Sequence, residues 1–272
     1  MKKILFIISI FFSTIMGTFS QEQITVTRFQ GQKITGIEAH GIFNITVKQG
    51  NSTGVSVNIP ARLEKRLTLK LNPEGKLQIY IDEKTSNKNK RNKNNKPFTA
   101  EVTVTNLNNV KLTGVCKLKT IEDFVTNKLK VDISGVCKMS TEGNFGVKEK
   151  LEIKINGVSQ FQGQITSSES SIEVNGASRL DLKGNTEHCK LQVSGASKAL
   201  LEEFSINILR VEISGTSKAQ LQVKEELSIY TSGIAKATYI GDPRIIAQRS
   251  TGISNINKIS PKSPKNQKEY EK

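Results

Sequence analysis

The sequence predicts an all-β protein whose second half is a parallel β-helix-like solenoid with about eight coils of ~20 residues. The first observation behind this prediction is a short motif, as in ISGVCKM and VNGASRL, that recurs eight times. The second is an alternation of apolar and polar residues around the glycine of each copy. Successive motif glycines are 18 to 22 residues apart, and they are Gly114, Gly135, Gly157, Gly176, Gly195, Gly215, Gly233 and Gly252.

The alternation around each glycine indicates strands that bury one face. Apolar residues mainly occupy the positions two and four before the glycine and four after it, as Ile133, Val131 and Met139 do around Gly135. An interval near 20 residues is too short for a four-stranded propeller blade of about 40 residues or for a βαβ unit with its crossover helix. It fits one coil of a solenoid whose coils stack ~4.8 Å apart and share a continuous core.

The positions next to each glycine indicate a tight corner, because glycine permits a positive φ and a close approach between stacked backbones. The preceding residue is small and polar in every copy, and it can hydrogen-bond along the solenoid axis. Only small residues, such as Cys116, Cys137 and Ser159, stand two after the glycine. We interpret this Ser-rich column as packing rather than as a nucleophile site, because no acid–base partner recurs with it. Gln248 and Ser250 replace core residues in the last copy, as a polar C-terminal cap requires.

The N-terminus predicts export from the cytoplasm. Lys2 and Lys3 precede the apolar run 4–12, and small and polar residues follow up to Ser20. This is the pattern of a secretory signal peptide over residues 1–20, and we expect its cleavage after about Ser20. No later segment reaches 18 apolar residues, so we expect no transmembrane segment in the cleaved chain. We therefore expect a location in the periplasm or on the outer cell surface, and no nucleic-acid partner.

Pattern and charge divide the remaining chain into four segments. Residues 21–82 alternate in runs separated by turn signals, and they predict an N-terminal strand region, antiparallel or in irregular coils, that caps the solenoid. Residues 83–97 read as a basic low-complexity loop of net charge +5, residues 98–257 as the β-helix repeat region, and residues 258–272 as a disordered basic tail of net charge +3. The whole chain carries +15, yet the repeat region is nearly balanced, with 19 basic and 17 acidic residues.

The recurrent phrase I/V-S/N-G-A/V-S-K, together with the opening segments GIFNITVKQG and GKLQIYI, resembles a bacterial family known as putative autotransporter adhesin, head GIN domain. The resemblance covers roughly residues 33–257, which is almost the whole chain after the signal peptide. It implies an exported, β-helix-like, all-β protein with a role in adhesion. It carries over no catalytic residue.

The candidate binding site is an outward column of basic residues three positions after the motif glycine. Six of the eight copies have Lys or Arg there, namely Lys117, Lys138, Arg179, Lys198, Lys218 and Lys236. Side chains at this offset face away from the core and repeat about every 4.8 Å. Such a cationic ridge is suited to an extended anionic polysaccharide or another cell-surface polymer. The alternative is that these side chains only keep the repeat surface soluble and discourage sheet aggregation.

The sequence offers little for catalysis, and we predict no enzyme, no catalytic residue, no metal and no cofactor. The chain has two His and no Trp, and no column of Asp or Glu places two carboxylates across a sugar. Cys116 and Cys137 share one offset in consecutive coils, so they are either a disulfide or two buried thiols. We expect an adhesin or envelope interaction scaffold. Two alternatives stay open: a polysaccharide lyase-like enzyme and a structural envelope component that assembles, for example as a homo-oligomer.

Overall fold

The protein is described by a computed structural model that covers residues 22–82 and 97–260. The predicted signal peptide 1–20, nearly all of the basic loop 83–97 and most of the tail 258–272 lie outside the described residues. The strands of the described part join in a single 18-stranded sheet, accompanied by one 3-10 helix. No helix in this part of the chain is long and apolar enough to cross a bilayer.

The strands fall into a group of short N-terminal strands, a group of long repeat strands and three short final strands. The first group is β1 (Gln23–Arg28), β2 (Gly36–Gly41), β3 (Phe43–Gln49), β4 (Gly54–Pro60), β5 (Leu67–Leu71), β6 (Lys76–Ile81), β7 (Phe98–Val104), β8 (Asn109–Gly114) and β9 (Lys117–Thr120), with the 3-10 helix Ala61–Arg66 after β4. The second is β10 (Phe124–Ile133), β11 (Lys138–Ile155), β12 (Gln160–Val174), β13 (Arg179–Val193), β14 (Lys198–Ile213) and β15 (Lys218–Thr231). The last is β16 (Lys236–Ile240), β17 (Arg244–Ser250) and β18 (Asn255–Lys258).

The predicted fold class is confirmed, since 70% of the described residues are strand and the repeats form a parallel β-solenoid of about eight turns. Neighbouring coils pair in parallel and in direct register, so equivalent positions stack on one another. The column two residues before the glycine shows this with Leu112, Ile133, Ile155, Val174 and Val193, each paired with the next and all buried. The alternating apolar positions therefore merge into one continuous core.

The N-terminal region stacks in an order that differs from its order along the chain. Strands β2 and β3 form a coil that lies in parallel on β8 and β9. Strands β6 and β7 form a further coil on the outer side of β2 and β3. Antiparallel pairing of β5 with β6, of β4 with β7 and of β1 with β4 closes this end. Residues 22–82 thus combine antiparallel strands with irregular coils, and the outer coil takes one strand from each side of the basic loop.

Polar side chains cover the last apolar layer at the C-terminal end. Gln248 and Ser250 pair in register with Ile229 and Thr231 of the coil below, and both are exposed. The Thr231 hydroxyl donates to the Ser250 hydroxyl at 3.1 Å, and Ser250 Oγ lies 2.7 Å from Ser254 Oγ. The hydroxyls that replace core side chains therefore hydrogen-bond to one another, so these polar groups are satisfied at the C-terminal end of the described solenoid.

Backbone conformation and close contact both require glycine at the corner of each coil. Gly176 has a φ of 81°, and a Cβ added there would lie 2.5 Å from the carbonyl oxygen of Gly157 in the preceding coil. That carbonyl accepts hydrogen bonds from the Ala177 N–H at 2.8 Å and from the Ser178 hydroxyl at 3.2 Å. A side chain at Gly176 would thus collide with the group that joins the two coils.

We predict that Gly176→Ala destabilises the solenoid by about 2 to 4 kcal/mol. Alanine is strained at this positive φ, and its Cβ overlaps the carbonyl oxygen of Gly157. In a chain of this size the loss lowers Tm by roughly 5–10 °C, measurable by circular dichroism. Gly146→Ala is the matched control, since a Cβ there has its nearest neighbours at 3.7 Å and no positive φ. Equal Tm values for the two variants would contradict this explanation of the motif glycine.

Candidate functional site

The surface of interest is the row of coil corners, which we call the corner strip. In each coil it comprises the residue before the glycine, the glycine and the three residues after it. Its nine members are residues 40–44, 113–117, 134–138, 156–160, 175–179, 194–198, 214–218, 232–236 and 251–255. The first member was missed by the sequence analysis. Gly41 has a positive φ and stacks on Gly114, but buried Phe43 stands where the other coils have a small residue.

The structure brings the six predicted basic residues into one column. Each position three after the glycine pairs in register with its equivalents in the adjacent coils, and Asn44, Gln160 and Asn255 complete the column. The basic members are Lys117, Lys138, Arg179, Lys198, Lys218 and Lys236, of which all but half-buried Lys218 are exposed. Their placement on the outer face agrees with the sequence analysis, and their role in binding stays a prediction.

Like charges stack along this column, whereas opposite charges stack at many other positions of the sheet, although Lys128 also pairs with Lys150 and Lys190 with Arg210. Lys154 pairs in register with Glu173 and forms an ion pair of 3.1 Å between Nζ and Oε1. Lys198, by contrast, stands in register between Arg179 and Lys218. Like charges directly opposite one another on a sheet destabilise it. The column therefore holds an excess of positive potential that the fold itself does not neutralise.

Ion pairing within the described residues leaves most of the column open to a ligand. Arg179 is the exception, because its Nη2 lies 2.9 Å from Oδ2 of Asp181, two residues further along the same strand. The five lysines of the column make no ion pair with any residue in the ranges 22–82 and 97–260. An anionic ligand would thus meet lysines without having to displace a carboxylate.

A second column in the corner strip is exposed and, apart from Thr216, aliphatic, and the sequence analysis missed it. It consists of the residue directly after each glycine: Ile42, Val115, Val136, Val158, Ala177, Ala196, Thr216, Ile234 and Ile253. Val136, Val158 and Ile234 are 57%, 61% and 60% exposed. Their main-chain N–H groups donate to the glycine carbonyl of the preceding coil, as Val158 does to Gly135 at 2.8 Å. This bond fixes the corner so that the side chain points outward.

The inner column of the corner, two residues after the glycine, is structural. The hydroxyls of Ser159, Ser178, Ser197 and Ser217 each donate to the carbonyl of a glycine in the preceding coil, at 3.1 to 3.2 Å. All four side chains are buried, so they are closed to substrate. On the other side of the glycine, Asn175 Nδ2 donates to Asn156 Oδ1 at 3.2 Å, so the polar residues there also bond along the axis.

Cys116 and Cys137 lie in this inner column as free, buried thiols. The Cys116 thiol contacts the Thr113 carbonyl at 3.3 Å, and the Cys137 thiol contacts the Ser134 carbonyl at 3.2 Å. A hydrogen bond with Cys137 and burial together raise the pKa of the Cys116 thiol. Burial alone raises the pKa of the Cys189 thiol to about 12. A disulfide between Cys116 and Cys137 stays a prediction that thiol counting can test.

Carboxylates do not cluster in three surface clefts formed by the described residues. A cleft of about 500 Å³ beside Tyr230 includes Glu212, one of about 480 Å³ includes Glu149, and one of about 220 Å³ includes Glu38, one carboxylate in each. Hydrolysis of a glycosidic bond requires two such groups across the sugar. Among the described residues, no group of three or more His, Cys, Asp or Glu side chains is placed to hold a metal ion.

We predict that none of the three cysteines reacts quickly with Ellman's reagent in the native chain at pH 8. At that pH the Cys189 thiol, with a pKa near 12, is a thiolate in only about one molecule in 10⁴, and the pKa of Cys116 is also raised. A hydrogen bond with Cys116 lowers the pKa of the Cys137 thiol, so its slow reaction rests on burial, which all three side chains share. In denaturant without reductant, the free thiols of the structure give three equivalents per chain. One equivalent would instead demonstrate a bridge between Cys116 and Cys137.

We predict that Lys198→Ser raises Tm by about 1–2 °C at low salt, because it removes repulsion from Arg179 and Lys218. The gain disappears in 1 M NaCl, where charges are screened over about 3 Å. Lys154→Ser serves as the control, since it breaks the ion pair with Glu173 and does not raise Tm. A stability loss in Lys198→Ser that salt leaves unchanged would show that the like charges do not repel one another.

Comparison with known proteins identifies a matching family and solved structures with the same fold. Residues 33–243 match the profile of the family described as "Putative auto-transporter adhesin, head GIN domain". The crystal structure of a putative adhesin from Parabacteroides merdae superposes with a TM-score of 0.77 at 14% identity, over 88% of this chain and 97% of that one. The crystal structure of a putative lipid binding protein from Parabacteroides distasonis superposes with a TM-score of 0.75 at 16% identity, over 88% of this chain and 98% of that one. The crystal structure of a putative adhesin from the same organism superposes with a TM-score of 0.70 at 11% identity, over 88% of this chain and 98% of that one. No curated protein matches the chain.

Proposed function

Because this chain belongs to the family described as "Putative auto-transporter adhesin, head GIN domain", we propose that it is an exported, adhesin-like solenoid that acts by binding rather than by catalysis. Its ligand is an anionic polysaccharide or a similar polymer of the cell envelope, and the basic column of the corner strip is the contact surface. The protein works in the periplasm or on the outer cell surface, after loss of the signal peptide.

The observation that carries this proposal is the stack of like charges in register on an exposed face. Lys117 pairs with Lys138, and Arg179, Lys198 and Lys218 follow one another in consecutive coils. Their mutual repulsion is relieved when a polyanion lies along the column, so binding and folding favour each other. A polymer that spans several coils also multiplies weak single contacts, because each further charge binds at high effective concentration.

The composition of the chain supports recognition by charge rather than by stacking. There is no Trp, and aromatic residues make up only 6% of the chain, so few rings are available to stack on a sugar face. Binding through exposed lysines is screened by salt, because the Debye length falls from about 10 Å at 0.1 M to about 3 Å at 1 M. We therefore expect affinity to depend steeply on ionic strength and only weakly on sugar identity.

The test is a quadruple variant, Lys138→Ser, Arg179→Ser, Lys198→Ser and Lys218→Ser, assayed on dextran sulfate and on an array of acidic glycans and lipopolysaccharides. We predict at least a tenfold rise in Kd at 0.1 M salt, because the central charges of the column are gone. The matched control removes four exposed lysines outside the column, which form no ion pair with a described residue: Lys111, Lys148, Lys190 and Lys224.

The control carries the same net charge as the test variant. A difference in Kd between the two variants therefore reports the position of the lysines and not the total charge. We predict that its Kd rises less than threefold. Equal losses in the two variants would show that only the overall charge matters and would contradict a specific column. Binding by the parent chain that is insensitive to salt would contradict the proposed electrostatic contact.

A further inference from the structure

The corner strip carries two different columns on one outer face. The aliphatic residue follows the glycine, and the basic residue stands two positions later, which places the two columns about 7 Å apart along the strand. The residue between them, such as Cys137 between Val136 and Lys138, points into the core. The strip is therefore amphipathic across its width over a length of ~38 Å, for eight steps between nine coils, with the smaller side chains of Ala177, Ala196 and Thr216 in the middle of the aliphatic column.

No acidic residue interrupts this face. The nine five-residue members of the corner strip contain no Asp and no Glu, although the chain has 25 acidic residues in all. Eight of the nine residues before the glycines, such as Ser134, Asn156 and Ser232, are small and uncharged, and the ninth is His40. A surface that combines aliphatic side chains with lysines and excludes carboxylates is complementary to an anionic apolar boundary, where negative head groups cover hydrocarbon.

The shape of the strip favours a soft partner. The aliphatic side chains stand at a convex corner, and none of the three clefts described above is lined by a residue of either column. Two of the clefts reach the edge of the strip, at Ser214, Ser232 and Thr251 and at His40 and Thr113, but the two columns themselves stand outside them and can sink into a deformable surface.

We propose that the corner strip docks on an anionic lipid bilayer, with the aliphatic column inserted at the level of the head groups and the basic column bound to phosphate-bearing lipids. The proposal shares the basic column with the proposed function and adds the aliphatic column, which a soluble polymer does not need. The two ideas therefore make different predictions for variants of Val136, Val158 and Ile234.

The experiment is vesicle co-sedimentation of the chain from Gln21 onward, using phosphatidylcholine vesicles with and without 30% phosphatidylglycerol. We expect binding to the anionic vesicles only. The test variant is Val136→Ser, Val158→Ser and Ile234→Ser, which removes three exposed aliphatic groups and leaves every lysine. The matched control is Val125→Ser, Ile245→Ser and Ile246→Ser, whose side chains are 58%, 41% and 52% exposed and lie outside the strip.

We expect the test variant to lose at least tenfold in vesicle partitioning and to keep its Kd for dextran sulfate within twofold. We expect the control variant to keep its vesicle partitioning and its Kd for dextran sulfate within twofold of the parent values. Unchanged vesicle binding by the test variant overturns the proposal, whatever the outcome with dextran sulfate. Loss of self-association in lipid-free solution, with vesicle binding retained, would assign the aliphatic column to contact between copies and also overturn it.

A depth probe gives a second and independent readout. The chain has no Trp, so Val158→Trp introduces a single fluorophore in the aliphatic column, and Val125→Trp introduces one at a similarly exposed site elsewhere. We expect anionic vesicles to shift the emission of Val158→Trp to shorter wavelength and brominated lipids to quench it, since Trp settles at the membrane interface. An equal response from Val125→Trp, or no response from Val158→Trp, contradicts insertion of the strip.

Discussion

One main-chain carbonyl at each corner holds consecutive coils together, and the rest of the architecture depends on it. The Gly157 carbonyl accepts from the Ala177 N–H and from the Ser178 hydroxyl, and equivalent bonds recur from coil to coil. This arrangement needs a left-handed residue without a Cβ, so the corner requires glycine. Once the corner is fixed, the next three side chains point outward, inward and outward in turn. The two exposed columns of the corner strip follow from that geometry.

Direct register converts a short motif into a continuous functional surface. A single coil contributes at most one aliphatic and one basic side chain, and such a pair alone would bind weakly. Stacking at a repeat of about 4.8 Å places these pairs in parallel rows, so a flat or extended ligand can engage many of them together. The like charges oppose stacking, as at Lys198 between Arg179 and Lys218, whereas Lys154 and Glu173 are paired in the same sheet. This contrast is the structural reason for connecting the strip with an anionic partner.

The sequence alone predicted the repeat, the buried offsets and the basic column, because period-two alternation fixes which side chains share a face. Three features escaped it for physical reasons. The coil at Gly41 was missed because Phe43 stands where other coils have a small residue. The outer coil of β6 and β7 was missed because it follows β2 and β3 in the chain but lies on their outer side, away from the repeats. The exposure of Val136 was missed because hydropathy does not distinguish an outward aliphatic side chain at a corner from one in the core.

The central claim is that the corner strip is the face that meets an anionic envelope surface, and lysine-reactivity footprinting tests it most directly. The chain is acetylated with and without anionic vesicles or dextran sulfate, and each lysine is quantified by mass spectrometry. The account predicts that Lys138, Lys198 and Lys218 become protected by the ligand while Lys148 and Lys190 react as before. Equal protection of both groups, or protection of Lys148 and Lys190 alone, would contradict it.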